Sequence, residues 1–259
     1  MDISKKNSRY SHIKGMCLVV LGFLCASCLS ALCKSVIHKL PLSMILFTQN
    51  AIALSLYFLF SLPSLKGSFQ TRRIPLHFFR ALTGVASYIC LFLAIEHIPL
   101  VNATLLANST PLFLPFVIFL WFHQKIGLGL WICILIGFVG VFFIVNPMSE
   151  ISSLFSSYFI IAALVGSIFS AIALQTIHYL AKTEKTTTIN LYYFAFSSLL
   201  TLPWALIEWS PLENIPWLIL IGMGVFLLFT QLFLAKAYQY ASPTLLGPFN
   251  YSIVIFTGI

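Results

Sequence analysis

LVNATLLANSTPLFLPFVIFLW, Leu100 to Trp121, has the length and the apolar content to cross a bilayer. About 20 apolar residues reach across the hydrocarbon as a helix. Yet Asn108, Ser109, Thr110 and Pro111 stand in a row at its middle. That is a poor helix interior: Asn and Thr have middling propensity, and a proline removes one donor and clashes one turn back. It is a worse lipid-facing surface, because an unpartnered polar group in hydrocarbon is heavily penalised. The tetrad is therefore expected to face protein or a water-filled cavity. The proline is expected to leave a carbonyl near Ala107 without its usual donor.

Similar apolar runs recur along the whole chain. Of its 259 residues 60% are hydrophobic and only 8% charged, with a mean hydropathy of +1.00; a soluble domain averages about 25% charged residues. The runs are continuous, whereas the strands of a membrane barrel would alternate polar and apolar. The fold class is thus an all-α polytopic membrane protein of about nine transmembrane helices. The expected spans are Gly15–Cys33, Pro41–Leu62, Phe78–Ile95, Leu100–Trp121, Ile126–Val145, Ser156–Leu180, Ile189–Ile207, Trp217–Ala235 and Pro243–Ile259. Their connections are too short to hold a soluble domain.

The net charge of +8 invites a nucleic-acid reading, but the basic residues lie in short clusters between apolar runs. With the N-terminus in the cytosol and the sides alternating, all but Lys34 and Lys39 of the 14 Lys and Arg residues fall on the cytosolic side. That is the bias expected of membrane topology. Arg80 counts in this partition as a flanking charge. Basic residues before MCLVVLGFLCASC also resemble a secretory signal, but removing that span would spoil the internal repeat. The six cysteines lie in or beside apolar runs. The Cys25 to Cys28 CASC pair has no second pair or histidine partner, so it reads as small packing residues.

The repeat is visible in two comparisons. TLLANSTPLF at Thr104 parallels TLLGPFNYSI at Thr244, 140 residues later. AIEHIPL at Ala94 parallels AYQYASP at Ala237, 143 residues later. Spans 1 to 4 then pair with spans 6 to 9, giving repeats at residues 1–147 and 148–259. A unit with an odd number of spans inserts its second copy the other way up, the arrangement of many secondary transporters.

FFRALTGVASYICLFLAIEHIPLVNATLLANSTPLF (Phe78 to Phe113), WICILIGFVGVFFIVNP (Trp131 to Pro147) and AYQYASPTLLGPFNYSIVI (Ala237 to Ile255) together resemble the drug/metabolite transporter superfamily, in its EamA-type branch of two five-helix inverted repeats. The resemblance covers nearly the whole chain. It implies a carrier of amino acids, purines, drugs or other small metabolites, S-adenosylmethionine uptake among them. The sequence departs from that pattern twice. Where the family carries a Gly-Glu pair after span 4, the chain reads FHQKI, with His123 and Gln124. A tenth span is also missing, so the natural chain is expected to run on by about one span beyond Ile259.

Catalytic chemistry finds no support. Asp2 precedes the first span, and the five Glu residues sit at span ends or in connections, so no carboxylate pair or proton relay lies at membrane depth. The histidines show no metal spacing, and no phosphate-binding Gly-Lys loop suggests an ATP-driven pump. No enzyme activity, cofactor or metal is expected. The expected partners are a small-molecule substrate, the lipid bilayer and, as a candidate, a second copy of the chain, with no nucleic acid.

What remains at membrane depth is uncharged: Gln49 and Asn50 in span 2, Tyr88 in span 3, Asn108, Thr110 and Pro111 in span 4, Gln231 in span 8, and Asn250 and Tyr251 in span 9. Gln175, Tyr192 and Tyr193 belong to the same group. Each could simply be interhelical glue worth about 0.6–2 kcal/mol. The clusters of spans 4 and 9, at equivalent depth in equivalent spans, are read instead as the border of a substrate site, with Asn108 and Asn250 as direct contacts. Such a lining suits a neutral or zwitterionic solute. The expected function is alternating-access transport of a small metabolite across the bacterial inner membrane. A non-transporting scaffold or receptor and a lipid-modifying enzyme are the alternatives.

Overall fold

A computed structural model of the chain describes residues 2–61, 71–122, 132, 136, 139, 154–210 and 217–258, and all regular structure in them is helical. The elements are α1 (Asp2–Val36), α2 (Leu42–Ser61), α3 (Ile74–His97), α4 (Leu100–Ala107), α5 (Thr110–Phe122), α6 (Leu154–Ala181), α7 (Thr186–Ile207), α8 (Trp217–Tyr240), α9 (Pro243–Leu246), a 3₁₀ turn (Gly247–Tyr251) and α10 (Ser252–Thr257). Seven stretches among the described residues are long and apolar enough to cross a membrane, with α4 and α5 counted as one. The expected fifth span lies outside the described residues but for Ile132, Ile136 and Val139. These three are helical, exposed and on one helix face.

The expected span 4 is two helices. α4 stops at Ala107, Asn108 takes φ −95° and ψ 13°, and α5 starts at Thr110. Pro111 is therefore the second residue of a new helix, where its missing N–H needs no partner. The uncapped carbonyl expected near Ala107 is thus replaced by a clean break. Polar side chains close the broken end by bonding back one turn. Thr104 Oγ1 donates to the Leu100 carbonyl at 2.9 Å, Asn108 Nδ2 to that of Thr104 at 2.8 Å, and Ser109 Oγ to that of Leu105 at 3.1 Å. The expected span 9 is broken too, into α9, the 3₁₀ turn and α10. The two broken segments meet: Thr104 Oγ1 lies 3.1 Å from Thr257 Oγ1, and Gly247 packs on Pro111.

α1 lies along α8, α3 along α6, and α2 along α7; α2 also meets α8, and α3 meets α7. Lipid offers no hydrophobic drive for such pairing, so close packing through small residues must supply it. Gly224 of α8 sits so near α2 that a Cβ there would lie 2.4 Å from Ile52 Cγ2. Gly166 of α6 would bring one to 2.7 Å from Cys90 Cβ on α3.

Polar contacts sort to two ends of the bundle. At one end Lys34 Nζ donates to the Ile95 carbonyl, Ser43 Oγ donates to Glu208 Oε2 at 2.6 Å, and His97 stacks on Phe159 with centroids 3.7 Å apart. At the other, Thr71 Oγ1 donates to Glu184 Oε1 at 2.7 Å, Tyr57 OH to the Thr187 carbonyl at 3.0 Å, and Lys14 lies over the Tyr240 ring. Successive spans therefore run in alternating directions.

Candidate functional site

α3 begins at Ile74, four residues before the expected Phe78, with Pro75 in its first turn. The shift carries Arg80 inward. It is the seventh residue of the helix, about 9 Å along its axis at 1.5 Å per residue, and only 1% exposed. Arg80 is thus no flanking charge, and the side-to-side partition of basic residues loses one member.

The guanidinium faces a cavity of about 90 Å³ enclosed by α1, α3, α4, α6, α7, α8 and α10, with room for several water-sized groups. Along α3 the wall runs from Arg80 through Gly84, Ser87 and Tyr88 to Leu91, about 16 Å of helix axis. Across from it stand Tyr193 of α7 and Gln231 of α8, while Asn108 closes the wall at the α4–α5 break. Intramembrane charges in helical bundles face such interiors and mark solute pathways.

The surroundings of Arg80 compensate its charge only in part. Nη2 donates to Gln231 Oε1 at 2.9 Å, and the guanidinium carbon lies 4.0 Å from the centre of the Tyr193 ring. A desolvated cation–π contact is worth about 2 kcal/mol, and a hydrogen bond to a charged group about 1.5–3 kcal/mol. Nε and Nη1, however, are buried without an acceptor. Each such donor costs about 1–3 kcal/mol, and more when charged. No described carboxylate relieves this. Glu96 faces His97 at 3.9 Å, Glu184 takes the Thr71 hydroxyl and Glu208 that of Ser43.

Of the nine residues expected at a substrate site, the structure brings Tyr88, Asn108 and Gln231 together on the cavity wall. The other six lie away from it. Thr110 is buried, with its hydroxyl 3.5 Å from the Ser167 carbonyl, and Pro111 packs on Gly247. Asn250 is buried with Oδ1 unpartnered, Tyr251 is half-buried, and α10 reaches the cavity through Ile253 instead. Gln49 and Asn50 lie in α2, which contributes nothing to the wall; both Gln49 amide atoms and Asn50 Oδ1 are buried without partners. Gln175 Oε1 is likewise unpartnered, and Tyr192 stacks on His77 at 4.8 Å. Sequence reasoning missed Arg80 and Gly84. Pro75, a residue type that favours the first helical turn, was the signal that places Arg80 inside the helix.

A membrane-embedded helical bundle that closes around a polar cavity, with a buried charge on its wall, is the architecture of a solute carrier. The model of the EamA-like transporter family matches residues 13–146 and 157–259. The chain belongs to this family and is an integral membrane transporter. It is 30% identical over 249 residues to a pseudopaline exporter of Pseudomonas aeruginosa, covering 93% of this chain and 84% of that protein. It is 27% identical over 225 residues to a riboflavin transporter of Vibrio cholerae, covering 84% of this chain and 73% of that protein.

Proposed function

We propose that the protein is a secondary carrier that moves a small metabolite across the bacterial inner membrane by alternating access, with the cavity as the transport site. The solute classes that fit are amino acids, nucleosides and S-adenosylmethionine-like molecules. The observation that carries this reading is the make-up of the cavity wall. α1, α3 and α4 come from the first half of the chain and α6, α7, α8 and α10 from the second. Rocking one half against the other would open such a cavity to either side.

The division into repeats at 1–147 and 148–259 draws support from the pairing of helices. Exchanging spans 1 to 4 with spans 6 to 9 turns the α1–α8 contact into the α6–α3 contact, and α2–α8 into α7–α3. The α2–α7 contact maps onto itself. Even the glycines follow. Gly84 of α3 meets Tyr193 of α7, and Gly224 of α8, 140 residues later, meets Ile52 of α2. Gly224 thus repeats Gly84 at the spacing found between the two TLL segments.

The N-terminus is assigned to the cytosol from the bias of basic residues. In a background without native cysteines, Lys39→Cys is expected to label from outside and Thr183→Cys from the cytosol. Labelling from the same side overturns the topology. Transport itself is tested by uptake into proteoliposomes with a metabolite panel, where movement of a solute above protein-free vesicles supports the carrier reading. A chain that moves nothing under either polarity of gradient is a scaffold or receptor instead.

A further inference from the structure

We propose that Arg80 is the anchor for a negatively charged group on the solute, and that the group is a single carboxylate. The proposal rests on the reading of the cavity as the transport site. Arg80 is buried, faces the cavity, and holds Nε and Nη1 without an acceptor beside that space. Its two protein contacts, the Gln231 amide oxygen and the Tyr193 ring, are both neutral. They orient the guanidinium and leave its charge unbalanced. A carboxylate oxygen entering the cavity meets the missing need, since guanidinium donors match carboxylates in geometry and charge.

The charge balance selects the class of anion. Arg80 is the one cation on the cavity wall. It balances one negative charge, which a carboxylate brings. A phosphate, nearer two charges at neutral pH, would leave one uncompensated in a poorly solvated site. The Tyr88 and Tyr193 rings beside Arg80 offer an apolar flank to the organic body of the acid. This revises the preference for a neutral solute that the uncharged candidates alone had implied.

The test uses the purified full chain in detergent and matched pairs that differ in charge: acetate and acetamide, benzoate and benzamide, nicotinate and nicotinamide. Thermal stability is followed against concentration at constant ionic strength, because a ligand that binds only the folded state raises the melting temperature. At least one acid is expected to stabilise the wild type at concentrations tenfold or more below its amide. R80Q is expected to abolish that preference and R80K to keep part of it. Acids and amides that act alike on the wild type overturn the proposal, a comparison that needs no variant to fold. So does an acid preference that R80Q retains.

Proteoliposome uptake separates the two readings. If no solute of the panel moves while the acid preference depends on Arg80, the anion site stands and the carrier reading fails. If solutes move, neutral analogues compete as well as acids and R80Q transports at the wild-type rate, the carrier reading stands and the anion site falls.

Discussion

Gly84 leaves the Tyr193 ring the space in which it lies: a Cβ on Gly84 would come 2.9 Å from Tyr193 Cε2. The ring also carries Arg80, 4.0 Å away, so one glycine fixes the height at which the buried cation is held. Gly84→Ala gains about 1 kcal/mol of helix propensity but overpacks a buried ring at a cost of about 1–3 kcal/mol. The expected outcome is a net loss of up to about 2 kcal/mol and a larger relative loss of solute affinity. In a Tyr193→Leu background the clash is gone, and Gly84→Ala is expected to be neutral or stabilising. A double-mutant cycle on melting temperature measures that coupling, and additive effects would show that ring and glycine do not act together.

The positions of the spans were legible because apolar runs of bilayer length can be counted directly. The break in span 4 was legible as well, since Asn108 to Pro111 oppose a continuous helix whatever their neighbours. Their exact use was not. Pro111 starts a new helix rather than kinking an old one, because Asn108 and Ser109 bond back and end α4 first. The faces of the helices were illegible for a physical reason. A helix apolar on every side has no polar stripe to show which way it turns. Gln231 and Gln49 look alike in sequence, yet one holds Arg80 and the other is shut away in α2. Arg80 was misplaced by a helix start set four residues late.

Gly224 is the tighter of the two related glycines. A Cβ there would lie 2.4 Å from Ile52 Cγ2, 2.6 Å from Ile52 Cβ and 3.3 Å from the Ala53 nitrogen. Those atoms belong to a branched side chain and a backbone that cannot swing aside, so α2 and α8 must separate. Gly224→Ala is expected to cost more than Gly84→Ala, about 2 kcal/mol or more after the propensity gain. Chemical denaturation in detergent ranks the two variants. A smaller loss for Gly224→Ala would mean that α2 and α8 are not held at this distance.

Ser43 Oγ donates to Glu208 Oε2 at 2.6 Å, and this bond, with one involving Trp204, holds the Glu208 carboxyl below its ordinary range. A carboxylate with a lowered folded-state pKa contributes stability above its unfolded value and loses it as pH falls through the folded one. The unfolded value is about 4.3. The melting temperature of the wild type is therefore expected to exceed that of Ser43→Ala by a constant margin at neutral pH. The pH-dependent part of that margin should shrink as the solution is acidified from about pH 4.3. A margin that widens on acidification contradicts the assignment.

Asn108 tests the polar cluster directly. Its Nδ2 closes the last turn of α4 on the Thr104 carbonyl at 2.8 Å, while the residue forms part of the cavity wall. Asn108→Leu removes the bond, at about 0.5–1.5 kcal/mol, and puts an apolar branch where an amide faced the solute. Leu is favoured in the membrane, so insertion and expression are expected to hold. Uptake at matched expression should fall tenfold or more, or turn toward a more apolar solute. Asn108→Ala separates two causes, for it loses the same bond without filling space. Transport by the Ala variant but not the Leu variant assigns the effect to occupancy of the cavity, and loss in both assigns it to the amide. An Asn108→Leu carrier with wild-type rate and selectivity would reduce Asn108 to a helix terminator. The polar pair Gln49 and Asn50 in α2, buried with unpartnered amide atoms, would then be the next place to look for the solute.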